Sequence, residues 1–285
     1  MDSTNIYTDI TCDSCSSDQR KTIIKIDDFN IVECTNCGLR YVYPQPTEQF
    51  FKNYYTEKYY NGSYEDGYKN YLGDEAEFSD EWNNRIDELE KLRKTNNLGM
   101  KVLEIGCGPG LFLKQLATNG WECTGVEYSD WASNYAKNDL GLDVVSGNIF
   151  DLNAESNTFD FVVMWDTIEH LRNPRNTLLE INRILKPKGI MQLTTGQVAD
   201  LRETLSAGYS MWYVPPAHLF FYSRRSMIYL LESIGFDNVE IYSDKVSLKS
   251  CIYLLITKLM HYLKFNNNKR ADGGSLMKAT GIKRP

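Results

Sequence analysis

The 285-residue sequence has no long unbroken apolar run, no surplus of positive charge and only three histidines. Each shortage removes a class of explanation. A bilayer-spanning helix needs about 20 consecutive, mostly apolar residues, and the stretch where one would be sought, Val246–Lys264, is interrupted by Lys249, Lys258 and Lys264. It reads as a C-terminal helix lying on the domain or on a second subunit of a homodimer, with peripheral contact at a membrane surface as the alternative. With 31 Lys and Arg against 38 Asp and Glu, the net charge is −7. A surface built to neutralise phosphates draws on clustered cations, so nucleic acid is not the expected partner. Met1–Ile10 lacks the apolar core of a secretory signal, and a cytoplasmic location is expected. Phe265–Pro285 holds five basic residues and one acid and reads as a mobile, solvated tail.

Cysteine sets the next constraint. Seven is an odd count, and only four fall into paired spacing, Cys12-x-x-Cys15 and Cys34-x-x-Cys37. Without a signal peptide that spacing favours metal over disulfides. Four thiolates suit tetrahedral, structural Zn2+ with no open ligand position. Cys107, Cys123 and Cys251 read as packing residues. Between the pairs, Lys21–Ile26 and Phe29–Glu33 read as a hairpin closed at its base by the metal. Residues 1–45 are therefore expected to form a small zinc-ribbon-like module. Residues 46–98 are expected to be a helical and aromatic connector able to cover a pocket, with a short helix at Thr47–Tyr55 and an amphipathic one at Phe78–Thr95.

From Lys101 onward, strand-like and helix-like stretches alternate. The pattern predicts strands at 101–106, 121–127, 143–147, 159–166, 188–195 and 237–243, with helices near 110–119, 129–139, 174–186 and 224–234. This alternation is the mark of an α/β, doubly wound, mostly parallel sheet with helices on both faces. It assigns 99–245 to the main domain and 246–285 to the C-terminal helix and basic tail.

The first strand of that domain, Lys101-Val102-Leu103-Glu104-Ile105, ends in a carboxylate and runs into Gly106, Gly108 and Gly110 before an apolar helix starts at Leu111. Strand, glycine turn and helix make a nucleotide-binding geometry. The third glycine follows the second after one residue, whereas a dinucleotide fingerprint needs two. The resulting pattern, Glu104-x-Gly106-x-Gly108-x-Gly110, resembles the class I S-adenosylmethionine (SAM)-dependent methyltransferases. Further stretches carry the resemblance over most of residues 100–240: Phe159–Asp166 as the fourth strand, Glu169-His170-Leu171 after it, and Leu185-Lys186-Pro187-Lys188-Gly189 as the turn into the fifth.

The resemblance implies a Rossmann-like, seven-stranded, mostly parallel sheet with SAM as cofactor. Glu104 would organise the glycine turn or meet the ammonium group of SAM, and Glu127, 23 positions later, would accept from the ribose hydroxyls. In Ser146-Gly147-Asn148-Ile149, Asn148 replaces the family's usual acid, and its amide can pair with the adenine edge. Trp165, at the end of the fourth strand, also belongs to the cofactor side. The Cys-pair module followed by Leu39–Pro46 and Tyr59-Tyr60 is similar to bacterial methyltransferases encoded with polysaccharide and natural-product pathways. That similarity implies a sugar, a nucleotide-sugar or another small polar acceptor.

Methyl transfer from a sulfonium asks the protein to align the reactants and remove the acceptor's proton. Histidine is the natural base near neutral pH. His218, in a Pro-rich segment able to reach over the pocket, is the first candidate, followed by His170 and then Asp166. Tyr59, Tyr60, Tyr64, Trp82, Trp212 and Tyr213 could form an aromatic acceptor wall or simply pack. The expected function is O-methylation of a small polar acceptor. The alternatives are RNA methylation, suggested by the Cys pairs and basic tail, and a non-catalytic SAM-binding assembly or regulatory protein.

Overall fold

The computed structural model describes residues 7–47, 50–51, 75–200, 203, 210–243 and 275–285. Its centre is a seven-stranded sheet. In chain order the strands are β6 (Lys101–Ile105), β7 (Glu122–Glu127), β8 (Val144–Ser146), β9 (Phe159–Trp165), β10 (Leu185–Gln197), β12 (Phe236–Ser243) and β13 (Ser275–Lys283). Their spatial order is β12-β13-β10-β9-β6-β7-β8. Only β13 is antiparallel, to both β10 and β12. From β6 the chain proceeds outward through β7 to β8, then returns to β9 on the other side, so strand order reverses between β6 and β9.

Both faces of the central strands are covered, which explains why β9 is buried at every position. Side chains alternate across the pleat. Val102, Phe161 and Val163 point to the face occupied by Trp82, Ile86 and Leu89 of α1 (Glu75–Asn96) and by Phe112 and Leu116 of α2 (Leu111–Thr118). Leu103, Ile105, Val162 and Met164 point to the other face, which holds Leu178, Ile181 and Ile184 of α4 (Pro174–Ile184) and Met227, Leu230 and Leu231 of α5 (Arg224–Ser233). The remaining helix, α3 (Asp130–Asn138), is started by Ser129, whose side chain accepts from the Ala132 N–H. At the foot of the sheet the buried Asp160 carboxylate accepts from Gly99 N–H and Lys101 N–H and pairs with Lys186, which pins the start of β6 against β9.

The C-terminal expectation needs correction. Ser275–Lys283 is not a solvated tail but an inner strand of the sheet, in register with β10 from Ile190↔Ile282 to Gln197↔Ser275. The net positive charge of this segment hides its burial. Met277 and Ala279 enter the core, while Lys278 pairs with Glu88 of α1 and Lys283 donates to the Leu185 carbonyl. The main domain therefore extends past residue 245 to include β13. The proposed helix 246–264, with Cys251 and His261, lies outside the described residues, as do residues 265–274, Tyr59, Tyr60 and Tyr64.

The N-terminal region is a second sheet of four antiparallel strands, β11-β4-β3-β2. It comprises β2 (Arg20–Ile26), β3 (Phe29–Cys34), β4 (Arg40–Tyr43) and β11 (Phe220–Phe221). A two-residue pairing of β1 (Tyr7–Thr8) with β5 (Gln45–Pro46) flanks it. The last strand, β11, comes from the main domain, so the Cys-pair region shares a sheet with the domain that follows it. A second tie runs from Asp13, between the first two cysteines, whose carboxylate accepts from Arg175 N–H at the start of α4. No side chain of α4's own caps that end, so the Cys-pair turn supplies its anion.

Candidate active site

The carboxyl ends of β6, β7 and β9 open into a cavity of about 390 Å³ at the reversal of strand order. The glycine turn forms one wall. Gly106 has φ +71°, and a Cβ there would lie 2.5 Å from Thr167 Oγ1. Gly110 has φ +84°, and a Cβ would lie 2.7 Å from Leu142 Cδ1 and 3.0 Å from Ala136 Cβ. Both positions combine a left-handed backbone with no room for a side chain, which only glycine accommodates. The turn is held by Gly106 N–H donating to the Val126 carbonyl at 2.8 Å.

Glu127 completes that hold. Its Oε2 accepts from Gly108 N–H at 2.9 Å and its Oε1 from Ser129 N–H at 2.7 Å. The carboxylate therefore braces the turn, and Glu127 lines the cavity. Beside it, Asn148 and Ile149 line the cavity as expected from their place after β8. The Asn148 side-chain oxygen is committed to Phe150 N–H at 2.9 Å, capping the short helical turn 149–152, which leaves its NH2 as the group able to meet a base. Phe150, also on the cavity wall and 49% exposed, presents an aromatic face that the sequence pattern did not single out.

Glu104 closes the floor. It is 4% exposed, and its Oε2 has no hydrogen-bond partner. Burial pushes its carboxyl up to about 8, opposed by the Arg85 guanidinium and reinforced by the charge of Glu127. Arg85 arrives from α1, sits 4.3 Å over the ring of Trp165 and pairs with Glu81. Its role was visible in the sequence only as a cation on the same helical face as Trp82, Ile86 and Leu89, a position normally given to an apolar residue.

The opposite wall belongs to the segment after β9. Asp166, at φ +47°, is held by Thr194, whose hydroxyl both donates to Asp166 Oδ1 and accepts from its N–H. Burial raises its carboxyl, and Arg85 opposes the rise. His170 lines the cavity. Its Nδ1 lies 2.8 Å from the Ala217 carbonyl, which can only accept, so the proton resides on Nδ1 and Nε2 is the basic nitrogen. Burial lowers this imidazole to about 4, keeping it neutral at physiological pH.

His218 does not line the cavity. It packs edge-on behind His170, with ring centroids 4.8 Å apart, and its own Nδ1 faces the Trp212 carbonyl at 2.8 Å. Glu169, 3% exposed with Oε2 unpartnered, joins the two rings in a cluster whose polar atoms lie within 4.8 Å of one another. Burial raises the Glu169 carboxyl to about 7, opposed by His218.

Of the aromatic candidates, Trp82 lines the cavity. Tyr213 is buried elsewhere, donating to Glu203 and accepting from Arg40 at 2.6 Å, where it seals the four-stranded sheet onto the main domain. Trp212 donates to the Ser275 carbonyl at 3.0 Å, so both are packing residues.

The four paired cysteines converge. Cys12 and Cys37 Sγ are 3.5 Å apart, as are Cys15 and Cys34, and all four sulfurs lie within 4.8 Å of one another. Tetrahedral thiolates about 2.3 Å from a Zn2+ stand roughly 3.8 Å from each other, so the donor set fits that ion. Cys107 and Cys123 are free thiols whose ionisation burial disfavours, in keeping with packing roles.

Comparison with known proteins extends this geometry. The family described as "Methyltransferase domain" matches residues 79–241, more than half of the chain. The mitochondrial ubiquinone biosynthesis O-methyltransferase of Schizosaccharomyces pombe is 31% identical over 120 residues, covering 39% of this chain and 44% of that protein. The ubiquinone biosynthesis O-methyltransferase of Rickettsia typhi is 30% identical over 138 residues, covering 46% and 56% respectively. The chain thus spans about half the length of the curated relatives it matches. Among solved structures, a SAM-dependent methyltransferase from Archaeoglobus fulgidus superposes with a TM-score of 0.51 at 19% identity, covering 75% of this chain and 99% of the other, which shows a shared fold. On the match over residues 79–241 and the sheet order that carries it, this chain belongs to the methyltransferase-domain family.

Proposed function

We propose that this chain is a SAM-dependent methyltransferase acting on a hydroxyl of a small polar acceptor, with a sugar or nucleotide-sugar as the acceptor class. One observation carries the reading. A single cavity joins a glycine turn that excludes side chains, an orphaned buried carboxyl at Glu104 and the His170 imidazole, whose Nδ1 is held by the Ala217 carbonyl. The donor set fits SAM: Glu104 faces the ammonium, Arg85 the carboxylate, Glu127 the ribose hydroxyls, and Asn148, Ile149 and Phe150 the adenine. The names of the curated relatives support transfer to oxygen.

Bound there, SAM supplies a methyl group on a sulfonium leaving group. The residues of the chain do the rest. Trp165 and Phe112, in edge contact at 5.8 Å, keep water from the reacting centre. His170 Nε2 takes the acceptor's hydroxyl proton as the new bond forms. With its imidazole lowered to about 4, His170 is a weak base that holds a proton briefly, and the Glu169 carboxylate behind it stabilises the imidazolium. Asp166 orients the acceptor from the same wall. The four-cysteine cluster, as a structural zinc site, fixes the sheet from which β11 runs back to Ala217, the residue that sets the His170 tautomer.

The test is transfer of labelled methyl from SAM into size-fractionated cell extract, with and without nuclease. The expected result is label in a low-mass, nuclease-resistant fraction, base-stable as an ether, and at least tenfold less label with His170→Ala than with His218→Ala. Label that disappears with nuclease, or equal turnover by wild type and His170→Ala, would overturn the reading.

A further inference from the structure

The cavity holds a cation that the proposed chemistry does not use. Arg172 lies two residues beyond His170 and forms part of the same wall, next to Leu171 and Asn173. Its Nε is fully buried and has no hydrogen-bond partner, and among the described residues no carboxylate or carbonyl meets its guanidinium. Every other arginine that touches this part of the fold is engaged. Arg85 pairs with Glu81 and stacks on Trp165, and Arg175 donates to Ser14 O at 3.1 Å and to Ser233 Oγ at 2.9 Å. The buried carboxyls of Glu104 and Asp166 sit under the influence of Arg85.

A partly buried guanidinium without an acid is costly to hold unless an anion meets it during function. Its planar fork matches the oxygen pair of a phosphate or a carboxylate. The methionine carboxylate of SAM does not account for it, because that group is assigned to Arg85, which acts on Glu104. Two residues of backbone span at most about 7 Å. An anion on Arg172 would therefore place a group a few bonds away within reach of His170.

We propose that Arg172 anchors the acceptor, and that the acceptor carries a phosphate or carboxylate a short distance from the hydroxyl that is methylated. This rests on the reading of the cavity as a methyltransferase site and narrows its acceptor to an anionic one. Arg172 is a binding residue on the acceptor side, separate from the cofactor groups at Glu104 and Glu127. A nucleotide-sugar, with its diphosphate, falls within the class, and so does a hydroxylated carboxylic acid.

The experiment uses the full chain saturated with S-adenosylhomocysteine. Calorimetry then measures binding of phenyl phosphate, benzoate and uridine diphosphate against their uncharged counterparts, benzyl alcohol and uridine. Wild type is expected to bind at least one anionic probe about tenfold or more tightly than its neutral counterpart. Arg172→Gln should abolish that preference, Arg172→Lys should retain part of it, and S-adenosylhomocysteine affinity should stay within about twofold in both. Preference for the phosphates would identify a phosphorylated acceptor, and preference for benzoate a carboxylic one. No preference for any anion at millimolar concentration, or a preference that survives in Arg172→Gln, would overturn the proposal. Failure of the chain to bind S-adenosylhomocysteine would instead sink the cofactor reading on which it rests.

Discussion

With Glu104 proposed to face the ammonium of SAM, cofactor binding is expected to release a proton. In the ligand-free protein its carboxyl is pushed up to about 8 by burial. At pH 7 it is therefore about nine-tenths protonated, and the ammonium of the ligand must displace that proton to gain an ionised partner. The cost of ionising it at pH 7 is about 1.4 kcal/mol, one decade of affinity, and it disappears as pH rises past 8. The folded, ligand-free protein binds this proton more tightly than the unfolded chain does, so between pH 4.5 and about 8 rising pH withdraws stability that the ligand then restores. Titration of S-adenosylhomocysteine in buffers of different ionisation enthalpy should show release of about 0.9 proton at pH 7, and affinity should rise close to tenfold from pH 6 to pH 7. Glu104→Gln should bind more weakly and lose both effects. Buffer-independent heats in the wild type, or an unchanged pH slope in Glu104→Gln, would refute the reasoning.

The remaining predictions follow from the same geometry. Gly110→Ala places a methyl 2.7 Å from Leu142 Cδ1 in a left-handed backbone, so thermal unfolding should show a loss of about 1–3 kcal/mol together with weakened S-adenosylhomocysteine binding. His170→Ala should lower kcat by about 10²- to 10⁴-fold with cofactor affinity nearly unchanged, measured by single-turnover transfer; a proportional loss of cofactor binding would assign His170 to the cofactor side. Purified protein should contain one zinc per chain by elemental analysis. Chelation should lower its melting temperature and its transfer rate more than its cofactor affinity, because the four-cysteine cluster supports β4, whose Val42 N–H reaches the Leu219 carbonyl while Leu219 N–H reaches the carbonyl of Glu169.

Much of this was legible in the sequence because its signals are local. The step from β6 into the glycine turn needs only adjacent residues, and Glu127 and Asn148 follow from strand ends. The Cys pairs were equally plain from spacing, although not the strand β11 that joins their sheet from some 180 residues away. What escaped depends on contacts between distant segments. Ser275–Lys283 reads as solvated because its basic residues mask the apolar Met277 and Ala279, and only docking between β10 and β12 lets its lysines reach partners at the rim. The sequence places His218 ahead of His170 because its Pro-rich segment can reach over the pocket. Hydrogen bonds at Val42, Glu169 and Tyr222 knit that segment into the protein instead and put His170 in front. Arg85 and Arg172 were hidden among ordinary surface charges, since nothing in their neighbours along the chain reports that they line a cavity.

A crystal structure of the chain with S-adenosylhomocysteine tests the central claim most directly. The expected result is the ribose hydroxyls on Glu127, the amino group on Glu104, the carboxylate toward Arg85 and the sulfur beside the wall formed by Trp165 and His170. Ligand bound outside this cavity, or inside it with the amino acid end pointing away from Glu104 and the ribose away from Glu127, would contradict it.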